Sequence, residues 1–123
     1  MLGDDGDDFM AGDYGSNTLY GGNGNDTLVS GIGTNYLDGG TGTDTLTYAG
    51  AASAVTVSLS ENATGGTAKL NGVVVDKIFN IENVTGTNYN DSLSGDGKAN
   101  VLSGGGGNDS LYGGSGNDSL IDG

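Results

Sequence analysis

The sequence predicts an all-β fold: a parallel β-roll in which nine-residue repeats stack in two blocks, joined by an irregular β segment. Three observations predict it. An apolar residue, usually leucine, recurs every nine positions; an acid or amide stands two positions ahead of it; and glycines crowd the positions before that.

Residues 1–47 form the first block of five nonapeptides. Leu19, Leu28, Leu37 and Leu46 are nine apart, with Met10 one step before them. Two positions ahead stand Asp8, Asn17, Asp26, Asn35 and Asp44. The clearest unit is Gly21-Gly22-Asn23-Gly24-Asn25-Asp26-Thr27-Leu28-Val29. Glycine tolerates positive φ, so the first six residues suit a tight turn whose backbone groups converge on one point. The last three suit a short strand with the leucine alone on one face. A turn and a short strand reverse the chain, so two units complete one coil. Coils then stack as parallel strands ~4.8 Å apart, and leucines from two sheets fill a narrow core.

Residues 48–85 lose this rhythm. Val55, Val57 and Leu59 alternate as a half-buried strand does. Asn71-Gly72 is a type I′ hairpin signal, placing a hairpin near 67–76. Ile78, Ile81 and Val84 lead back into the repeats. The segment reads as wider β structure that caps the first block and seeds the second. Residues 86–123 are the second block of four nonapeptides, with Leu93, Leu102, Leu111 and Leu120 preceded by Asp91, Asn100, Asp109 and Asp118. The three parts are expected to form one continuous solenoid domain.

Composition narrows the function. The 27 glycines disfavour helices, at ~1 kcal/mol each inside one. A net charge of −13, with Lys69, Lys77 and Lys98 as the only cationic side chains, repels nucleic acid and anionic membranes and attracts cations. Lacking His, Cys and Arg, the chain has no His-based triad and no thiol chemistry. Its paired carboxylates are explained by the repeat rather than by glycoside cleavage. The glycine-rich turns carry acids where a phosphate cradle needs lysine. The chain therefore reads as a non-enzyme. No run is long and apolar enough to span a membrane. The opening residues do not read as a signal peptide, and because Met1 leads into Gly3-Asp4-Asp5-Gly6 in mid-pattern, the start is expected to be a boundary within a longer array.

The repeats resemble the repeats-in-toxin (RTX) family, the haemolysin-type calcium-binding repeats, whose motif is Gly-Gly-x-Gly-x-Asp-x-apolar-x. The resemblance covers residues 3–47 and 86–121, and Ile81–Gly86 is similar to segments that precede repeat blocks in that family. It implies a right-handed parallel β-roll, calcium in the turns and type I secretion, hence an extracellular or bacterial cell-surface location. There are departures. Ser30 replaces the first glycine, and Asp4, Asp13, Thr87 and Asp96 replace the second. Tyr89 and Lys98 replace the third, while Asn17, Asn35 and Asn100 take the acid position.

Turns on one edge of the roll recur every 18 residues, which places Asp8, Asp26 and Asp44 in a column. Two carboxylates ~5 Å apart repel by about 1 kcal/mol in water and several-fold more at lower effective dielectric. A hard divalent cation between them removes this repulsion and accepts turn carbonyls as further ligands. With no sulfur or imidazole available, calcium is favoured over zinc or copper. Full sites are expected between Asp8 and Asp26, between Asp26 and Asp44, and between Asp91 and Asp109. A fourth, with one acid, lies between Asn100 and Asp118, where the Lys98 ammonium stands partly in place of a cation. The expected carbonyl ligands lie around Gly3, Asp5, Gly6, Gly21, Asn23, Gly24, Gly39, Thr41 and Gly42 in the first block. In the second they lie around Gly86, Gly104, Gly106, Gly107, Gly113, Ser115 and Gly116. The Asn17/Asn35 edge is expected to form an amide ladder holding little or no calcium. Asp4, Asp5, Asp7, Asp13, Asp38 and Asp96 are expected to be solvated.

The leading functional expectation is a calcium-responsive structural module that folds after export. An alternative is an adhesive or surface-layer spacer, with Tyr20, Tyr36 and Tyr112 as contacts for glycan or protein. Another is the non-catalytic C-terminal module of a secreted protease, lipase or epimerase. Open roll ends make end-to-end self-association a further expectation.

Overall fold

A computed structural model describes residues 1–123. It contains no helix. The strands are β1 (Phe9–Ala11), β2 (Thr18–Asn23), β3 (Thr27–Val29), β4 (Asn35–Thr41), β5 (Thr45–Thr47), β6 (Val55–Ser58) and β7 (Gly66–Leu70), then β8 (Val73–Phe79), β9 (Asn83–Thr85), β10 (Ser92–Ser94), β11 (Val101–Ser103), β12 (Ser110–Tyr112) and β13 (Ser119–Ile121). They form two facing sheets, the architecture of a parallel β-roll.

The first sheet runs β1-β3-β5-β9-β11-β13 and is parallel throughout. Its register aligns Met10, Leu28, Leu46, Val84, Leu102 and Leu120 along one row. The second sheet runs β2-β4-β8-β7-β6-β10-β12. Leu19 pairs with Leu37 and Leu37 with Ile78, and beyond the middle strands Val57 pairs with Leu93 and Leu93 with Leu111. Three-residue strands can hold this register because only the central side chain faces inward; slipping by one residue would turn every leucine outward. Leu28, Leu37, Leu46, Leu93 and Leu102 are all fully buried, each worth roughly 1.5–3 kcal/mol of burial.

The middle segment enters the second sheet out of order. After β5 the chain crosses to β6, beside the place β10 will take, then returns through antiparallel β7 and β8 to pair with β4. The β7–β8 turn has Asn71 at φ 52° and Gly72 at φ 74°, the two positive values a type I′ turn needs. Three strands therefore separate β4 from β10, whereas β9 alone separates β5 from β11 in the facing sheet. The interior beneath the wider sheet is filled by Tyr48, Val55, Val57, Leu59 and Ala68, all buried.

This topology fixes how the two blocks align. Because β9 continues the β5 row into β11, the turns of Asn100 and Asp118 lie on the same edge as those of Asp8, Asp26 and Asp44. Asp91 and Asp109 lie on the opposite edge, in line with Asn17 and Asn35. The acid-rich edge thus changes sides at the junction.

Candidate metal centre

Each turn ends on an acid or amide that is tied to the coil before it. Asp26 Oδ1 accepts the Asp8 N–H at 2.8 Å, and Asp44 Oδ1 accepts the Asp26 N–H at 2.8 Å. The same bond joins Asp109 to the Asp91 N–H and Asp118 to the Asn100 N–H, both at 2.9 Å. One carboxylate oxygen therefore closes the ladder that a short strand cannot extend by itself.

The second oxygen behaves differently. Asp8, Asp26, Asp44 and Asp109 each keep a buried Oδ2 with no hydrogen-bond donor. A buried polar atom left unpaired costs about 1–3 kcal/mol, and more when charged. These oxygens face one another's coils across a glycine. A Cβ placed on Gly21 would meet both Asp26 Oδ2 and the Gly39 carbonyl, and one on Gly3 would meet Asp8 Oδ2 and the Gly21 carbonyl. Carboxylate and carbonyl oxygens thus converge beside the first glycine of each turn, and any side chain there would fill the space. Oxygens without donors suit a hard cation, which takes about six to eight oxygen ligands. Nowhere do three carboxylates converge, so a cation held here would need backbone carbonyls for most of its coordination. The Asn23 and Thr41 carbonyls already accept the Gly6 and Gly24 N–H groups across one coil, leaving each a second lone pair. The Gly104 and Gly113 carbonyls stand opposite Gly86 and Gly95 as those of the first block do.

Burial and crowding by like charge both act on Asp44. Desolvation first, then Glu82, Asp26 and Asp38, raise its pKa from 3.8 to about 6, although the Asp26 N–H bond opposes the shift.

The second block differs from the first. Asp91 is buried, but both of its oxygens accept the Thr87 hydroxyl, and Oδ2 also takes the Thr87 N–H at 2.6 Å. Thr87, which stands where the repeat has its second glycine, satisfies a carboxylate that its counterparts leave bare. A cation between Asp91 and Asp109 has to compete with those bonds. In the Asn100/Asp118 turn, Lys98 Nζ reaches Glu82 Oε1 at 3.4 Å rather than either of those residues.

The amide edge carries its own hydrogen bonds. Asn17 donates its N–H and its Nδ2 to Asn35 Oδ1 at 3.0 and 3.2 Å. Asn35 in turn donates both groups to Asp76 Oδ1. Asp76 is wholly buried, and its Oδ2 accepts the Ser30 hydroxyl at 2.5 Å and the Tyr48 hydroxyl at 2.7 Å. Burial, followed by the adjacent Asp76 charge, raises the Tyr48 pKa well above its ordinary value. Ser30 explains itself here: it replaces the first glycine of its turn and supplies a donor where other turns hold a bare oxygen.

Asp76 and Glu82 were not among the residues expected at the turns. Both carry the signal of the repeat, an acid two positions ahead of an inward apolar residue, in Asp76-Lys77-Ile78 and Glu82-Asn83-Val84. The surplus acids Asp4, Asp5, Asp7 and Asp13 are exposed, and Asp38 and Asp96 are half-buried. Tyr20, Tyr36 and Phe79 line up along the outer face of the second sheet, Tyr20 tilted against Tyr36 at a centroid distance of 5.7 Å and Tyr36 stacked on Phe79 at 4.9 Å; Tyr112 stands apart from them, exposed. No helix is long and apolar enough to cross a membrane.

A comparison with curated proteins finds no match. A family model, described as the RTX calcium-binding nonapeptide repeat, matches residues 2–37, 11–46 and 85–120, together about two-thirds of the chain. Repeats of this kind form structural calcium-binding modules and are typical of secreted bacterial proteins. With its repeating acid–leucine turns, stacked parallel strands and donorless carboxylates, the chain belongs to the RTX calcium-binding repeat family.

Proposed function

We propose that this chain is a non-catalytic module that calcium folds after export from the cell. The observation that carries the reading is the set of buried, donorless Oδ2 atoms on Asp8, Asp26, Asp44 and Asp109. Without a cation these charges repel and stay unpaired, while glycine-rich turns are entropically expensive to order. With calcium, binding energy becomes folding energy. Calcium would be held between Asp8 and Asp26, between Asp26 and Asp44, more weakly between Asp91 and Asp109, and most weakly between Asn100 and Asp118. In each case turn carbonyls complete the shell. Such a chain stays loose where calcium is scarce and folds where it is abundant.

Circular dichroism tests this directly. A disordered spectrum in calcium-free buffer that converts to a β spectrum on adding calcium is expected. A full β spectrum in chelator would overturn the switch. The aromatic Tyr20–Tyr36–Phe79 strip favours a second reading, an adhesive face for glycans. Calcium-dependent glycan-array binding that disappears in a Tyr20→Ala/Tyr36→Ala double variant is the result that reading expects.

A further inference from the structure

The acid column does not stop at Asp44. One coil on, the place of the next acid is taken by Glu82, which lies 38 residues away instead of the regular 18, because the middle segment intervenes. Glu82 Oε2 accepts the Asp44 N–H at 2.9 Å, as Asp44 accepts the Asp26 N–H and Asp26 the Asp8 N–H. Glu82 is itself buried. The opposite wall of the gap repeats the first-block arrangement with one substitution. A Cβ on Gly39 would meet Asp44 Oδ2 and the carbonyl of Asn80, where the lower coils present a glycine carbonyl. Asp44 is fully buried, and its Oδ2, aimed into this gap, has no donor.

The only nearby ammonium does not meet the need. Lys98 Nζ lies 3.4 Å from Glu82 Oε1, on a side chain half-exposed to water, and makes no bond to Asp44. A long contact whose lysine is half in water contributes little and leaves the Asp44 charge unmatched.

From this we infer a further calcium site at the junction of the two blocks, held by Asp44, Glu82 and the Asn80 carbonyl, with Lys98 as a weak rival for Glu82. It bridges the break between the two blocks, where Glu82 stands nine residues before Asp91 but follows a turn without glycine, and it rests on the calcium reading above. Its role would be to bind the first block to the second. Asp44 closes the first block, while Glu82 is tied to the second through its own carbonyl, which accepts Asn100 Nδ2 at 2.8 Å.

Bound calcium is counted by equilibrium dialysis and emission spectroscopy on the whole chain, comparing wild type with Glu82→Gln, Asp26→Asn and Lys98→Met. The glutamine variant keeps an oxygen for the Asp44 N–H but loses the charge, and is expected to bind about one ion fewer per chain. Lys98→Met is expected to keep the count and to bind more tightly, by severalfold, at the junction. Asp26→Asn reports on the repeat sites alone. If wild type binds calcium and Asp26→Asn loses ions while Glu82→Gln matches wild type in count and affinity, the junction site is refuted and the repeat sites stand. If wild type binds none, the calcium reading itself fails. Should Glu82→Gln not fold, anomalous diffraction from wild-type crystals grown in calcium decides: a peak within ligand distance of both Asp44 and Glu82 supports the site, and its absence refutes it.

Discussion

At the scale of single residues, this fold solves one problem in two ways. Each coil leaves an oxygen facing the next coil, and that oxygen needs a positive partner. On one edge, Asp8, Asp26 and Asp44 leave it bare, the feature on which the calcium proposal rests. On the other, Asp76 receives hydrogen bonds from Ser30, Asn35 and Tyr48 and needs no metal. Replacing Asp76 with alanine strands those buried donors together and removes the link between the hairpin and the first block. A loss of about 3–5 kcal/mol is expected, measured by denaturant unfolding at saturating calcium, where the metal sites cannot mask it. Asp44 gives a pH signature. Its pKa in the folded chain, raised to about 6, means the folded form binds a proton more readily than the unfolded chain between pH 3.8 and about 6. Without calcium the folded form should therefore become more populated as pH falls through that window, and lose this gain as pH rises back through about 6. Calcium affinity should move the other way, weakening with acid as protons compete for the column. Circular dichroism in metal-free buffer at pH 5 and 7.5, paired with calcium titrations at both, checks both signs; parallel trends would contradict the account.

At the scale of elements, the glycines divide into two kinds. Gly72 sits at φ 74°, and a Cβ placed on it would meet nothing within 4 Å. Gly72→Ala therefore meets only backbone strain, about 1–2 kcal/mol, and should leave the bound-calcium count unchanged. A Cβ on Gly21 meets Asp26 Oδ2 and the Gly39 carbonyl, so Gly21→Ala should lower both stability and calcium binding. Unfolding midpoints and ion counts for the two variants separate the cases. The same contrast explains what could be read in advance. The roll was legible because each strand repeats one solution, an inward leucine two positions after an acid, at a constant step. The junction was obscured because Asp76–Ile78 and Glu82–Val84 keep that internal spacing but stand six residues apart instead of nine. Glu82–Val84 stands nine residues before Asp91–Leu93, but the turn ahead of it, Lys77 to Ile81, carries no glycine, and Asp76–Ile78 is out of step with both blocks. Thr87 and Ser30 appear in the sequence only as missing glycines; their roles as donors to Asp91 and Asp76 depend on partners that the fold brings near.

At the scale of the whole molecule, the roll is closed along its sides and open at its ends. Leu120 is 48% exposed, and at the other end Met1, in line with the inward Leu19, is exposed as well, so each terminal coil of this chain offers an unpaired strand edge and an uncovered part of the core. End-to-end association should follow calcium-induced folding, since only the folded roll has ends to match. Analytical ultracentrifugation across a calcium titration is expected to show a monomer in chelator and a concentration-dependent larger species once folded. A monomer at every concentration and calcium level would remove this expectation.

The out-of-order middle segment also has a mechanical consequence. Pulled from its termini, a coil held only to its neighbours peels away singly, and each coil of 18 residues frees about 60 Å of chain. The junction cannot part in such small increments. Its 38-residue step is laced into the second sheet by antiparallel strands and to the first block by Asp76, so it should yield as a unit, releasing about 130 Å. Under tension the molecule would behave as a row of short, soft links with one longer and stronger link in the middle, and removing calcium would slacken the short links before the long one.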